Sequence, residues 1–478
     1  MKTILVTCLG CLLGIGFAPK PASAQSAEEY FRRGTARVDA ENYFDAVQSY
    51  SQAIELKPNY TEAYGSRGVA KFKLRDYQGA LRDFNKALAV NPAYGMGYFN
   101  RGITRSYLEE YKGALSDLDK AIELLPRLAT AYGNRGIVKT ALKDDQGALA
   151  DFEKAVGLDP KYAEVYRKMS ITKGRLGDFT GAIQDHDRAL ALDPKDAESY
   201  FFRALAKTNL GDFEGAVKDY SELIRLVPYN GDAYLNRGIA RANLKDFAGA
   251  IRDYDRATGL MPYNSDLLYN RATARLNLED YRGAIQDYSS VLRNNPGDEP
   301  ALYYRGLAYY KSGNHKAAVR DLTTVIERNK KNTPALAVRA DARFENGDYP
   351  GAIADYTTIL DTNSTDGSGY ARRASAHFRL GQFDQAARDY DKALAINPRE
   401  EALYHNRASA RANLKDYPGA IADYTKVIEL NASDASAYYE RGQAYLDSGD
   451  AGTACQEVRK AQEMGEKRAG DFLKKHCR

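Results

Sequence analysis

The side chains with the most chemical capacity recur at a fixed interval. Arg33, Arg67, Arg101, Arg135, Arg203, Arg237, Arg271, Arg305, Arg339, Arg373, Arg407 and Arg441 are separated by 34 residues or a multiple of it. Sixteen residues beyond this place an aspartate recurs at the same interval, eleven times from Asp83 to Asp423. A partly buried guanidinium favours a carboxylate that it can grip with two hydrogen bonds. Arg67 with Asp83, Arg101 with Asp117 and Arg237 with Asp253 are therefore expected to form rungs of an internal ladder. The other chemistry open to such a stripe is capture of an anionic ligand, which the neighbouring aspartates would oppose by neutralising it.

Little else has the pattern of a reactive centre. The five histidines (His186, His315, His377, His405 and His476) form no close pair, and no phosphate loop, dinucleotide fingerprint or His-Glu-x-x-His is present. His186 has no carboxylate or histidine at metal spacing beside it and reads as a core substitution. The expectation is a non-catalytic protein with no cofactor and no bound metal.

The elements that position these residues are two short helices per interval. In Gly231–Asn264, Tyr234, Arg237, Gly238 and Arg241 lie three and four apart, on one helical stripe. Lys245 and Asp246 make a turn, with Asp246 as a plausible N-cap. Ala250, Ile251, Tyr254 and Ala257 repeat the helical period, and Pro262 ends the second helix. Steps of 34 find this unit at 27–60, 61–94, 95–128, 129–162, 163–196, 197–230, 231–264, 265–298, 299–332, 333–366, 367–400, 401–434 and 435–468. The alanine at the twentieth place is present in all thirteen copies, from Ala46 to Ala454. Thr362 to Gly369 replaces the usual proline-containing connection, and Gly367 and Gly369 are expected to weaken the next helix's first turn, giving a softer seam.

This pattern resembles the tetratricopeptide repeat family, a 34-residue helix–turn–helix with W-x2-L-G-x2-Y, A-x3-F and a closing proline. Three departures stand out: Tyr replaces the Trp, Arg takes the Leu place in twelve of thirteen copies, and Lys or Arg usually takes the second Tyr place. The resemblance implies an all-α fold, an α-solenoid of about thirteen hairpins in a right-handed superhelix. Residues 469–478 are expected to form a short C-terminal capping helix.

The resemblance also implies a concave groove along the first helices, which receives extended peptides. The groove face is set by places two, five, nine and twelve of each copy. Ninth-place residues such as Ile103, Ile137, Leu205 and Ile239 make it apolar in its first two-thirds, while Asp341, Ser375, Ser409 and Gln443 make it polar toward the end. Phe99, Phe201, Phe202, Tyr303, Tyr304 and Tyr310 add aromatic surface, either for a ligand or merely to pack first helices together. Asn100, Asn134, Asn236 and Asn270 stand where some members grip a ligand's backbone amides; the plainer reading is that they only face solvent. The Lys and Asn pair of the family's carboxylate clamp is missing at places five and nine, so recognition of an acidic C-terminal tail is not expected.

Formal net charge is +4, and two of the cations, Lys2 and Lys20, lie in the first 24 residues. So even a balance gives no reason to expect nucleic acid as a partner. Lys2 precedes an apolar run from Ile4 to Ala18, and Ala22-Ser23-Ala24 has the small-x-small form of a cleavage site. Residues 1–24 are expected to be a Sec signal peptide, leaving no membrane segment and a periplasmic or extracellular protein. A retained anchor is the alternative, though the run is short for a span.

Removal of that segment leaves Cys455 and Cys477. They are placed to join the last hairpin to the tail by a disulfide worth roughly 3 kcal/mol in an oxidising compartment; the alternative is two buried or free thiols. The expected function is a protein-interaction scaffold that binds a protein or extended peptide. Its rivals are a self-associating assembly protein and an accessory subunit regulating a cell-envelope enzyme.

Overall fold

A computed structural model describes residues 26–477. The leader-like segment 1–24 lies outside the described residues, as does Arg478. Every described regular element is a helix, and the helices fall into two compact units divided between Leu244 and Lys245.

The first unit holds α1 (Ala27–Asp39), α2 (Tyr43–Leu56), α3 (Thr61–Lys73), α4 (Tyr77–Val90), α5 (Gly95–Tyr107) and α6 (Tyr111–Leu124). It continues through α7 (Ala129–Ala141), α8 (Asp145–Leu158), α9 (Ala163–Arg175), α10 (Phe179–Leu192), α11 (Ala197–Asn209), α12 (Phe213–Leu226) and α13 (Gly231–Asn243). The second unit begins with α14 (Phe247–Leu260), α15 (Ser265–Asn277), α16 (Tyr281–Asn294), α17 (Glu299–Lys311), α18 (His315–Arg328), α19 (Thr333–Glu345) and α20 (Tyr349–Thr362). It ends with α21 (Gly367–Arg379), α22 (Phe383–Ile396), α23 (Glu401–Asn413), α24 (Tyr417–Leu430), α25 (Ala435–Asp447), α26 (Ala451–Glu463) and α27 (Ala469–His476). Within each unit consecutive helices pack against one another.

Local chemistry sets the hairpin. The residue after the first helix's last carbonyls takes a left-handed conformation, as at Arg75 (φ 63°), Lys143 (φ 64°) and Gly211 (φ 79°). This reverses the chain while amide donors close on the helix end: Asp76 N–H reaches the Lys71 carbonyl at 2.9 Å. An Asp or Asn then caps most second helices; Asp76 accepts from the Gly79 amide at 2.8 Å. A Cβ on Gly79 would lie 1.8 Å from the Asp76 carboxylate, which would have to shift, as the caps that accept from the Ala317 and Thr453 amides accommodate one.

The two helices of a hairpin approach closely because small residues face each other's partners. The twentieth-place alanines, among them Ala46, Ala114 and Ala284, are wholly buried. A Cβ on Gly68 would meet the Phe84 ring at 2.6 Å, and one on Gly136 the Phe152 ring at 2.5 Å. These contacts assemble a chain of small apolar clusters in place of a single large core.

The expected soft seam at Thr362–Gly369 is packed like the other connections. Asp366 caps α21 by accepting from Gly369 N–H at 2.9 Å. Gly367 and Gly369 let that helix start close to its neighbours, for added Cβ atoms would meet Asn397 at 2.7 Å and Asp366 at 2.8 Å. The glycines serve close approach, which offsets their helix-weakening tendency. At the end of the second unit Cys455 and Cys477 are joined by a disulfide, Cα atoms 5.7 Å apart, which ties α26 to the residue after α27.

Candidate functional site

Most arginines of the seventh place are largely buried and grip a carboxylate, whereas Arg33, with Ser49 sixteen residues on, is exposed. Arg67 donates from Nε and Nη2 to the two oxygens of Asp83 at 2.9 and 2.7 Å; Arg101 does the same to Asp117 at 2.9 and 2.6 Å. Equivalent pairs join Arg135 to Asp151, Arg203 to Asp219, Arg271 to Asp287 and Arg407 to Asp423. Arg441 instead takes Glu457. The hydrogen bonds that Arg135 donates to Asp151 hold its guanidinium above its already high ordinary pKa. Arg237 lies over the Tyr234 ring and donates to Ser221 at 3.0 Å, while Asp253 is buried in the second unit.

Two further contacts of the ladder were not foreseen. The remaining guanidinium nitrogen, Nη1, reaches back to the preceding hairpin's second helix: Arg67 to Ser51, Arg101 to Asn85, Arg135 to Asp119 and Arg339 to Thr323, at 2.7–3.1 Å. Each arginine therefore stitches its own hairpin to the one before. The sequence signal was the unbroken run of oxygen-bearing residues at the twenty-fifth place. A second cation, at the eleventh place, also reaches the aspartate, as Lys71 does Asp83 at 2.8 Å and Arg105 does Asp117 at 2.7 Å. Where they are paired in this way, the charges of these stripes are met internally.

The fifth copy (163–196) departs from this plan. Met169 is buried at the arginine place, and Lys173 and Arg188 share Asp185 instead. Burial pushes the Asp185 carboxyl up and the His186 imidazole down to about 4, so the histidine is neutral. Its Nδ1 meets the Ser170 hydroxyl at 3.2 Å.

The first helices also touch one another: α1 with α3, then α5, α7, α9 and α11 in turn, and in the second unit α15, α17 and α19, and α21 with α23. Their shared surface is the wall on which ligand-binding residues were expected. Ile137, Phe201, Phe202, Asn134, Asn236 and Ile239 are half-buried there, and Leu205 is exposed. Asn270, Tyr303, Tyr304 and Tyr310 are half-buried on the second unit's wall. Phe99, Asn100 and Ile103 are not available: they are 1 %, 7 % and 2 % exposed. Phe99 and Ile103 are enclosed with Phe72, Phe84, Leu118 and Val138, because neighbouring hairpins close over that part of α5. Asn134 and Asn236 donate back to the carbonyls of Thr130 and Asp232, so their amides are engaged within their own helices.

The polar ninth-place residues also have an internal role. Asp341 accepts from the Tyr356 hydroxyl at 2.6 Å, and Ser375 and Ser409 meet the hydroxyls of Tyr390 and Tyr424 at 3.0 and 3.2 Å. Thr35 and Thr273 meet Tyr50 and Tyr288 in the same way. Where the twenty-fourth place is Phe84, Leu118, Phe152 or Leu322, the ninth is Val69, Ile103, Ile137 or Leu307. In these copies polarity at the ninth place follows what the second helix needs satisfied, while Leu205 and Ile239 stand opposite Tyr220 and Tyr254 without supplying a partner.

Several cavities open between first helices, one of about 210 Å³ beside Phe344, Ser375 and Phe378 among them. Another, of about 150 Å³, is lined by Ile103, Ser106, Tyr111, Asn134 and Ile137; a third, of about 180 Å³, by Gly174, Phe179, His186, Phe202 and Leu205. A fourth, of about 200 Å³ in the second unit, is lined by Tyr310, Asp341, Phe344, Tyr356 and Arg372, with Arg372 paired to Asp341. Among the described residues no three His, Cys, Asp or Glu gather as a metal ion would need, and no helix is long and apolar enough to cross a membrane.

Paired helices in a 34-residue register, with a wall of first helices, define an α-helical repeat scaffold. The chain belongs to the tetratricopeptide repeat family: models described as tetratricopeptide or TPR repeats match residues 34–75, 61–94, 129–162, 168–230, 203–265, 269–332, 306–371, 368–400, 410–449 and 435–466. A comparison with curated proteins finds no match. Among solved structures, the chain is similar to YrrB, a TPR protein with an unusual peptide-binding site (26% identity over 37% of this chain and 92% of that one, TM-score 0.36). It is also similar to MamA of Desulfovibrio magneticus (22% identity, 37% and 99% covered, TM-score 0.34) and to yeast Tom70 (17% identity, 94% and 99% covered, TM-score 0.31).

Proposed function

We propose that this chain is a non-catalytic protein-interaction scaffold whose first-helix wall receives an extended segment of a partner protein. One observation carries the reading. The charged ladder is satisfied inside the molecule, whereas Ile137, Phe201, Phe202 and Leu205 leave apolar and aromatic surface on the wall. Apolar surface of that kind in a concavity is what a partner buries.

We further propose that the protein is exported, by the leader-like first 24 residues, to a periplasmic or extracellular location. The Cys455–Cys477 disulfide supports this, since such bonds persist in oxidising compartments.

The test is cross-linking and affinity capture from the envelope fraction of the source cell, with wild type and an Ile137→Ser, Phe201→Ser double variant. Loss of a specific partner, with the helical circular dichroism unchanged, supports the scaffold. Equal capture by the folded variant overturns the role of the wall. Sedimentation of the purified chain as a stable oligomer that buries Phe201 would assign the wall to self-association.

A further inference from the structure

In each copy the twelfth place, on the first helix, faces the seventeenth, at the start of the second. Four copies fill both with rings. Phe72 meets Tyr77 with centroids 5.2 Å apart, Tyr310 meets His315 at 5.7 Å, Phe344 meets Tyr349 at 5.3 Å and Phe378 meets Phe383 at 5.2 Å. These edge-on and tilted geometries are the ones aromatic rings favour. The third and fifth copies keep the second ring, Tyr111 and Phe179, but have Ser106 and Gly174 where the first ring would be.

The same lone second ring stands beside Thr208, Ala242 and Ala412 in other copies, but beside Ser106 and Gly174 the gap opens into a cavity. The one of about 150 Å³ is bounded by Ser106 and Tyr111, and the one of about 180 Å³ by Gly174 and Phe179. A Cβ built on Gly174 meets nothing within 4 Å, so the space beside it is open. Both cavities lie in the first unit, between consecutive first helices.

We propose that these two cavities are ring-accepting subsites. Each takes one aromatic side chain of a partner polypeptide, which restores the ring pair that sister copies make internally. The inference rests on the scaffold reading above and names the chemistry its partner must present. Charge complementarity favours a neutral ring over a charged group. Arg175 at the rim of the larger cavity is already paired with Asp145 at 2.5 Å, and the neutral His186 in its lining is hydrogen-bonded to Ser170. Glu109 at the smaller cavity is exposed to water.

The experiment uses the full chain with labelled isoleucine methyl groups, titrated with N-acetyl-phenylalaninamide and, separately, N-acetyl-leucinamide. The expected result is saturable shifts of the Ile171 and Ile137 methyl signals with the phenylalanine probe, and binding weaker by about tenfold with the leucine probe. Gly174→Phe and Ser106→Phe fill the cavities from within; each is expected to abolish the response at its own cavity and leave the other intact. Gly174→Ala, which keeps the space open, is expected to bind as wild type does.

Equal response to the leucine probe, no response, or a response that survives both filled variants overturns the proposal. Shifts at the same methyls on raising protein concentration without probe also overturn it, in favour of a second copy as occupant. Because no natural partner is needed, failure here leaves the scaffold reading standing. Failure of the capture experiment likewise leaves this result readable.

Discussion

Arg339 grips Asp355 in the most enclosed rung of the ladder, with Nε to Oδ2 at 2.9 Å and Nη2 to Oδ1 at 2.6 Å. Both residues are buried, and Arg343 adds a third bond to the same carboxylate at 2.9 Å. Removing the acid strands two cations. Asp355→Ala is expected to destabilise the second unit by ~3 kcal/mol in urea unfolding, the range for breaking a buried pair from one side. Asp384→Ala removes an exposed carboxylate and is expected to change stability by less than about 0.5 kcal/mol.

Tyr220 lacks the hydroxyl partner that Tyr288, Tyr390 and Tyr424 have. Its hydroxyl is wholly buried and makes no hydrogen bond of ordinary length, the Thr208 hydroxyl being donated to the Ala204 carbonyl at 2.9 Å. The ninth place of that copy is Leu205, 36 % exposed, where Thr273 satisfies Tyr288 at 2.9 Å in another. Leu205→Thr is expected to raise stability by ~1 kcal/mol, the net value of one new buried hydrogen bond. An unchanged or lowered denaturation midpoint argues against the pairing rule.

The hairpin turn carries a cost wherever its left-handed residue has a side chain. Lys143 holds φ at 64°, whereas Gly211 occupies the equivalent turn at 79° without penalty. Lys143→Gly is expected to stabilise by ~1 kcal/mol, and Gly211→Ala to destabilise by a similar amount. Thermal unfolding of the two variants should move in opposite directions.

His186 makes stability depend on pH. Burial lowers its pKa to about 4, below the ordinary value near 6.5 that it regains on unfolding. Between those values the unfolded chain binds the additional proton, so stability falls as pH drops from about 6.5 toward 4. The loss attributable to this group approaches ~3 kcal/mol at the acid end. His186→Phe, which copies Phe152 at the same place of the preceding copy, is expected to flatten that part of the profile relative to wild type. A parallel profile would show that other groups govern it.

Helical hairpins and the Arg–Asp pairing were legible because they depend on residues within one copy, sixteen apart and on facing stripes. What escaped depends on the neighbouring copy. Phe99 and Ile103 read as wall residues from their own helix, but adjacent hairpins bury them. Asp341 and Ser375 read as a change in groove character, and their meaning appears only beside Tyr356 and Tyr390. The third bond of each arginine was hidden for the same reason, since Ser51 and Asn85 belong to the hairpin before.

The missing guanidinium at Met169 has a mechanical consequence. Elsewhere in the first unit a buried arginine such as Arg101 or Arg203 fastens its hairpin to the one before, at Asn85 or Asp187. Between the fourth and fifth hairpins Arg175 reaches Asp145, and that arginine's side chain is 45% exposed. Tension or denaturant should open the first unit at this joint, with α8 and α9 the earliest to exchange their amide hydrogens.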